Sequence, residues 1–379
     1  MDTWLDWDPI NFSRHDFDKL LLWCCAKGAN DIVLRSNETP YVKLNGEVRE
    51  IVPTVLRQDN LYLILKQIRN ESCPANVLAG QPQDFSYIVE GHERNVVRFR
   101  CNATAVKGRF GSTNEISLTL RTFPESPPSV AELEVEEAIV ESVSQRDGLI
   151  LVTGPTASGK STLCFSLLRH QASTFARNIL TLEEPVEYDL SSVPGVLSKI
   201  AQTEVPGQVA SFSEGVRACM RRAPDTILVG ESRDRETFSA AIRAASTGHL
   251  VLTTVHANDV ASTVQRMVDE FDTADRRGVA ATLAAILKCV VHQRLYPRVG
   301  GGRIAIREYV VIDHSARIAM RDALRDGTER LHGALHDLVE KSGKFLVDDA
   351  AQKYEQELIS RETFNDVCLN TGRIDRMLD

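Results

Sequence analysis

An excess of positive charge is what this sequence most plainly lacks. Its 52 acidic residues outnumber 44 basic ones, for a net charge of -8. Neither nucleic acid nor an anionic membrane is favoured as the main partner, since both attract a basic face. Aromatic residues make up only 6%, which also argues against the basic, aromatic loops on which a nucleic-acid strand stacks. The eight cysteines (Cys24, Cys25, Cys73, Cys101, Cys164, Cys219, Cys289, Cys368) show no C-x-x-C pair and no Cys/His ligand spacing. That pattern argues against a zinc site and for small buried hydrophobes in a reducing cytoplasm. Long apolar runs are missing too: the most apolar helical candidate, VAATLAAILKCVV (279–291), is too short to span a bilayer and carries Lys288. The opening residues, MDTWLDWDPI, are acidic where a signal peptide would be basic and then apolar, so none is expected. What is present is ordinary for a soluble globular chain: 43% hydrophobic and 25% charged over 379 residues, room for two or three domains.

The first part reads as α+β. SRHDFDKLLLWCCAK (13–27) has a cap at Ser13, apolar residues at helical spacing and Gly28 as a stop. DIVLR and YVKLNGEVREI read as short strands with a tight turn at Asn45-Gly46, and QDNLYLILKQIRN as a helix. In RNVVRFRCNATAV, Val97, Phe99, Cys101 and Ala103 face one way and Arg98, Arg100 and Asn102 the other. A second strand, EISLTLRTF, puts Ser117, Thr119 and Arg121 on one face. FPESPPSVAE (123–132), with three prolines, is the best linker in the chain. Beyond it VEEAIVESVSQRDG reads as a helix, and the short apolar runs NILTLEE, TILVGE and HLVLTTVH end in polar residues. That is the pattern of a buried, mostly parallel sheet with functional groups at the strand C-termini. From about 315 onward the chain reads as helical and polar.

The strongest local signal is GLILVTGPTASGKSTL (148–163), a buried strand running into G-x-x-x-x-G-K-[ST]. Such a loop wraps ATP phosphates with backbone N–H groups, and the following helix start adds partial positive charge. Gly154, Thr156, Ser158 and Gly159 would form the cradle. Lys160 would bridge the β- and γ-phosphates, Ser161 would complete the Mg²⁺ shell, and Thr162 lies beside the phosphates. Glu231 ends a strand in TILVGESRD, where it could reach Mg²⁺ through water or orient the attacking water. The motif is a variant, because Gly230 stands where a standard Walker B has Asp, and a surface pair with Arg233 is the bland alternative. Glu183, Glu184 and Glu187 follow another apolar strand and could polarise water or hold metal, or could form a solvated acidic turn. His256, at the end of HLVLTTVH, could sense a γ-phosphate or be structural. Arg98 and Arg100, about 7 Å apart on one strand face, and Arg121 on the neighbouring strand suit an anion such as a γ-phosphate, which they would meet as arginine fingers. A solvated strand face is the alternative.

Taken together these segments resemble the PilT/GspE family of secretion and type IV pilus ATPases, over nearly the whole chain. LTLEEPVEY is similar to its Asp box, SFSEGVRACMRRAPDTILVGESRDRET to its acidic block, TGHLVLTTVHANDVASTVQRMVD to its His box, and VVHQRLYP to its Q-R-L segment. GANDIVLRSNETPYVKLNGEVREI and RFRCNATAVKGRF…LTLRTFP resemble its N-terminal pattern and arginine-bearing strands. The resemblance implies a PAS-like α+β domain (1–123), a linker (124–132), a RecA-like P-loop NTPase core (133–314) and a helical C-terminal region (315–379). It implies a homo-hexamer that is cytoplasmic and docks on an inner-membrane secretion complex, with a larger secretion ATPase among its partners. It makes Glu183 and Glu231 candidates for activating water and organising Mg²⁺, and His256 a γ-phosphate sensor. Arg98, Arg100, Arg109 and Arg121 become phosphate-facing residues of the first domain. Glu184 stands where the family has Asp, so either carboxylate at 183 or 184 could carry that role, and Arg222-Ala223 replaces Gln-Asp. A short N-terminal region and the lack of a four-cysteine module argue against the long-armed assembly ATPases. The divergent details look more like the DotB-type ATPases of type IVB secretion than like a pilus retraction motor. Retraction is the alternative, and a RecA-like nucleic-acid motor, a small-molecule kinase and a non-hydrolysing scaffold fit less well.

Overall fold

The computed structural model describes residues 12–29, 31–44, 47–91, 96–108, 114–123 and 126–378. The chain divides into two units: Met1–Ser126 with Glu184–Ser192, and Pro127–Glu183 with Val193–Asp379. In the first, helix α1 (Arg14–Ala26) begins where Ser13 caps the Asp16 N–H and the Asp16 carboxylate accepts the Ser13 N–H in return. Gly28 ends that helix region at φ +79°. Strands β1 (Asp31–Arg35), β2 (Tyr41–Leu44) and β3 (Glu47–Glu50) follow. β2 and β3 pair with Leu44 opposite Glu47, and the Asn45-Gly46 turn lies outside the described residues. Helices α2 (Gln58–Ile68) and α3 (Cys73–Leu78) then lead to β4 (Gln83–Glu90), β5 (Val96–Val106) and β6 (Glu115–Phe123). Neither α3 nor β4 was legible in the sequence.

The six strands form an antiparallel sheet in the order β3-β2-β1-β6-β5-β4. Phe99, Cys101 and Ala103 of β5 point into a core with Phe17, Leu20 and Leu21 of α1 and Leu61, Ile64 and Leu65 of α2. Arg98, Arg100 and Asn102 alternate with them and are half-buried on the other face, as a period of two requires.

The second unit opens with a strap, residues 127–136, then α4 (Glu137–Ser142). That helix is far shorter than the one expected over 135–148, and its first residue follows Glu136 without a side-chain cap. The unit continues with β7 (Gly148–Thr153), α5 (Lys160–Thr174), β8 (Asn178–Glu183), β9 (Lys199–Glu204), α6 (Phe212–Cys219), β10 (Thr226–Val229) and α7 (Arg235–Ser246). β11 (Leu250–Val255), α8 (Val260–Asp269), α9 (Thr273–Ile286), β12 (Leu287–Pro297) and β13 (Arg303–Val311) come next. The chain closes with α10 (His314–Ala323), α11 (Arg330–Ser342), β14 (Gly343–Lys344), α12 (Leu346–Glu355) and α13 (Arg361–Asn370).

Sheet order is β14-β13-β12-β7-β11-β10-β8-β9, parallel from β12 to β9, with β13 and β14 antiparallel at one edge. β7, β10 and β11 are buried along their whole length. Helices on both faces make such strands read as continuous apolar runs. The apolar stretch 279–291, expected as one helix, is corrected here: α9 stops at Ile286 and Leu287 begins the central strand β12. Short apolar runs do not declare their period, and pairing with β7 decides in favour of the strand. All eight thiols are free, seven of them buried and Cys25 half-buried.

Candidate functional site

The loop after β7 is shaped by residues in left-handed backbone conformations. Gly154 sits at φ +148°, Ala157 at +62° and Gly159 at +81°. A Cβ on Gly154 would lie 2.2 Å from the Gln293 carbonyl oxygen and 2.7 Å from Ser158 Oγ, so this position has no room for a side chain. Gly159 is also the N-cap of α5, whose first turn holds no acidic residue. With no carboxylate in that turn, the positive end of the helix dipole favours an anion there. Lys160, almost buried, donates to the carbonyls of Gly154 (3.0 Å) and Pro155 (2.9 Å), and so lies folded back over the loop. Burial pushes its ammonium below the usual lysine range, and the Glu231 charge opposes that shift. Thr156 is exposed; Ser161 and Thr162 are half-buried at the start of α5. Ser158 Oγ is buried without a hydrogen-bond partner among the described residues. An orphaned hydroxyl in a donor-rich loop fits a phosphate oxygen, and Ser161 at the helix start fits the one protein oxygen that Mg²⁺ takes in such loops.

Two neighbouring strands present carboxylates at their C-terminal ends. Gly230 follows β10, and a Cβ there would lie 2.9 Å from the Leu182 carbonyl of β8, so the Asp of a standard Walker B would not fit without a shift. The carboxylate comes from the next residue. Glu231 accepts from Arg233 Nη2 at 2.6 Å through one oxygen and meets His256 Nε2 at 2.9 Å through the other. Burial raises its pKa, but the Arg233 bond and the charges of Arg233, His256 and Lys160 together hold it below the usual range. The pair with Arg233 that sequence offered as the bland alternative is real, and it coexists with the pair to His256. Glu183, the last residue of β8, is buried instead, with one oxygen accepting both the Thr181 hydroxyl and Gln202 Nε2 (2.9 Å).

Residues 184–192 belong to the first unit, a return that no sequence pattern announced. Glu184 is exposed there. Asp189 accepts from Arg98 at 2.6 Å, Glu187 lies 3.9 Å from Arg100, and Tyr188 packs its ring 6.4 Å from that of Phe123. Burial pushes the Glu187 carboxyl up, while Arg100 pulls it down. Arg100 stands directly opposite Arg121, and Arg121 opposite Asp31, which it contacts at 2.6 Å. Two like charges directly across a ladder repel, and here each has a carboxylate beside it. Arg109 lies outside the described residues.

Sequence reasoning missed a group behind the loop. A cavity of about 340 Å³ opens beside Gly159 and Thr162, walled by strap residues Glu132–Glu134, by Gln293 and Leu295 of β12, and by Ile304 and Arg307 of β13. Its volume is at the small end of ligand pockets. Gln293 was visible only as part of the Q-R-L segment, without a role. Arg307 gave no signal, because a lone arginine in an alternating strand reads as solvent-facing.

A glycine-turned loop between a buried parallel strand and a helix, with acidic and histidine strand tips alongside, defines a P-loop ATPase core. The profile of the family described as type II/IV secretion system protein matches residues 15–303. The type IV pilus retraction ATPase PilT of Pseudomonas aeruginosa is 34% identical over 307 residues, 81% of this chain and 86% of its own. The X-ray structure of the Legionella pneumophila ATPase DotB superposes with a TM-score of 0.89 at 31% identity, covering 97% of this chain and 99% of that one. The retraction motor PilT with bound ADP gives 0.82 at 31% identity, over 95% and 99%. The chain belongs to the type II/IV secretion system family, and is a secretion and pilus ATPase of the PilT/GspE kind. As in those relatives, an N-terminal α+β domain precedes a P-loop ATPase domain.

Proposed function

We propose that the chain is a hexameric ATPase that powers protein translocation by a type IVB secretion system. In this reading it works at the cytoplasmic face of an inner-membrane complex and docks there beside a larger secretion ATPase. No helix among the described residues is long and apolar enough to cross a membrane, which is compatible with peripheral docking. The observation that carries the nucleotide site is the loop itself: three left-handed residues, a folded-back Lys160 and an acid-free helix start. Gly154, Thr156, Ser158, Gly159 and Thr162 would hold the phosphates and Lys160 would reach the β- and γ-phosphates. Ser161 would be the protein ligand of Mg²⁺, with Glu231 holding it through water. Bound there, the ion would neutralise phosphate charge and polarise the leaving group.

Glu231, held ionised, would orient the attacking water, and His256 would hydrogen-bond near the γ-phosphate. Glu183 and Glu184 are assigned supporting roles. Arg98, Arg100, Arg109 and Arg121 would face phosphate from the PAS-like domain (1–123), joined by residues 124–132 to a RecA-like core (133–314) and a helical end (315–379). For the three described arginines this requires exchanging a carboxylate for the anion. The full-length likeness to DotB supports the type IVB assignment. Pilus retraction is the second reading, favoured by the 34% identity to PilT.

Lys160→Ala tests the site. It should abolish ATP binding and turnover, measured by calorimetry and phosphate release, and undiminished binding would place the nucleotide elsewhere. Restoration of effector export in a strain deleted for its own copy, without restoring twitching in a retraction mutant, would support type IVB function; the reverse would favour retraction.

A further inference from the structure

We propose that Arg307, Gln293 and the strap 127–136 form a positioning relay that sets the shape of the phosphate loop. The proposal rests on the reading of that loop as the ATP site. Gln293 touches the loop at three places. Its side-chain N–H donates to the Ser158 carbonyl at 2.7 Å, its own carbonyl lies where a Cβ on Gly154 would come within 2.2 Å, and its Nε2 lies 2.9 Å from where a Cβ on Gly159 would be. An amide can turn either end toward the loop. Here Arg307 settles the choice, because its Nε donates to Gln293 Oε1 at 2.8 Å. A guanidinium has donors only, so the amide oxygen must face Arg307 and the NH₂ must face Ser158.

Arg307 is itself fixed from the other side. It is 1% exposed, and its remaining donors reach the Leu133 carbonyl (2.9 Å), the Glu134 carbonyl (3.0 Å) and the Glu136 carboxylate (3.3 Å). Two successive carbonyls can converge on one fork because Glu134 adopts φ +48°, a left-handed conformation that non-glycine residues seldom hold. At its other end the strap is held by the helix that follows the loop: Ser166 donates to the Pro128 carbonyl at 2.6 Å and Arg169 to that of Pro127 at 2.5 Å. Strap, helix α5, strand β12 and loop are thus tied in one circuit. Displacing the strap would pull Arg307, release the Gln293 amide and loosen the Ser158 carbonyl. The strap also walls the cavity beside Gly159, so the same displacement would open it. Through this relay the segment by which the chain enters the ATPase unit controls nucleotide affinity.

The test uses the full chain with Gln293→Met, Arg307→Met and the double variant, with ADP and ATP as probes. A loop that holds phosphates equally before and during reaction contributes uniform binding, so its loosening raises KM and leaves kcat nearly unchanged. Each single variant should raise the ADP Kd and the ATP KM about tenfold with kcat kept within about twofold. Because the residues act in series, the double variant should be no worse than the worse single. Additive losses, or an unchanged KM in Gln293→Met, would overturn the relay. Should Arg307→Met fail to fold, Gln293→Met alone decides: its melting temperature without nucleotide stays near the parent's while the shift produced by ADP shrinks. A full shift would overturn the proposal. Lys160→Ala separates the two readings. If it binds ADP normally the ATP-site assignment fails, whereas if it abolishes binding and Gln293→Met is silent, only the relay fails.

Discussion

Glu183 and Glu231 stand at the ends of two paired strands, β8 and β10, yet they are held very differently. Glu183 is sealed: its side chain is buried and one oxygen takes both the Thr181 hydroxyl and the Gln202 amide. Glu231 is shared between His256 and Arg233, is 19% exposed and sees the charge of Lys160. A buried carboxylate that holds a hydroxyl and an amide in place holds a fold together. One balanced among cations and open to water can take a proton-handling role, since its partners can be exchanged during a reaction. The same contrast separates the arginines. Arg307 is pinned by backbone carbonyls in the core, whereas Arg100 is 43% exposed and only 3.9 Å from Glu187.

Glu231→Gln should have the largest effect, lowering turnover by about 10²–10⁴-fold, the usual contribution of a positioned base, with ATP affinity retained. Glu183→Ala should instead act on stability. It leaves the Thr181 hydroxyl and the Gln202 amide without their shared acceptor, so a loss of about 1–3 kcal/mol in denaturant unfolding is expected, with a smaller change in kcat. A large fall in turnover at unchanged stability would break the comparison and move the catalytic role to Glu183. Arg100→Ala should lower turnover while leaving the unfolding midpoint in place, and unchanged kinetics would leave it a surface ion pair. Exposed pairs of this kind contribute about 1 kcal/mol or less to stability.

The smallest effect concerns a third carboxylate, Glu308 on β13. Burial first, and the charge of Asp259, raise it to about 7, against the pull of the Val260 N–H and Arg294. The folded state then binds more protons than the unfolded chain between the ordinary value of 4.5 and about 7, so this group costs stability as pH rises through that window. Glu308→Gln should gain melting temperature relative to the parent as pH rises from 4.5 to 7. A flat difference across that window would contradict the shift.

The loop was legible in the sequence because its chemistry is local: glycines, lysine and serine within eight positions, after an apolar strand. The strand tips Glu231 and His256 were legible as candidates, but their pairing was not, since it depends on the order in which β10 and β11 lie in the sheet. Gly230 shows why the Walker B variant reads as it does: the Leu182 carbonyl occupies the space a side chain would need. Long-range features stayed hidden. The return of 184–192 to the first unit, the strand identity of Leu287–Pro297 and the burial of Arg307 each rest on contacts between residues far apart in the chain.

The most direct measurement is single-turnover ATP hydrolysis by Glu231→Gln beside Glu183→Ala, each saturated with ATP and Mg²⁺ and each with its affinity measured separately. The account predicts bound, unhydrolysed ATP in Glu231→Gln and near-parental hydrolysis in the folded fraction of Glu183→Ala. Parental hydrolysis by Glu231→Gln would contradict it.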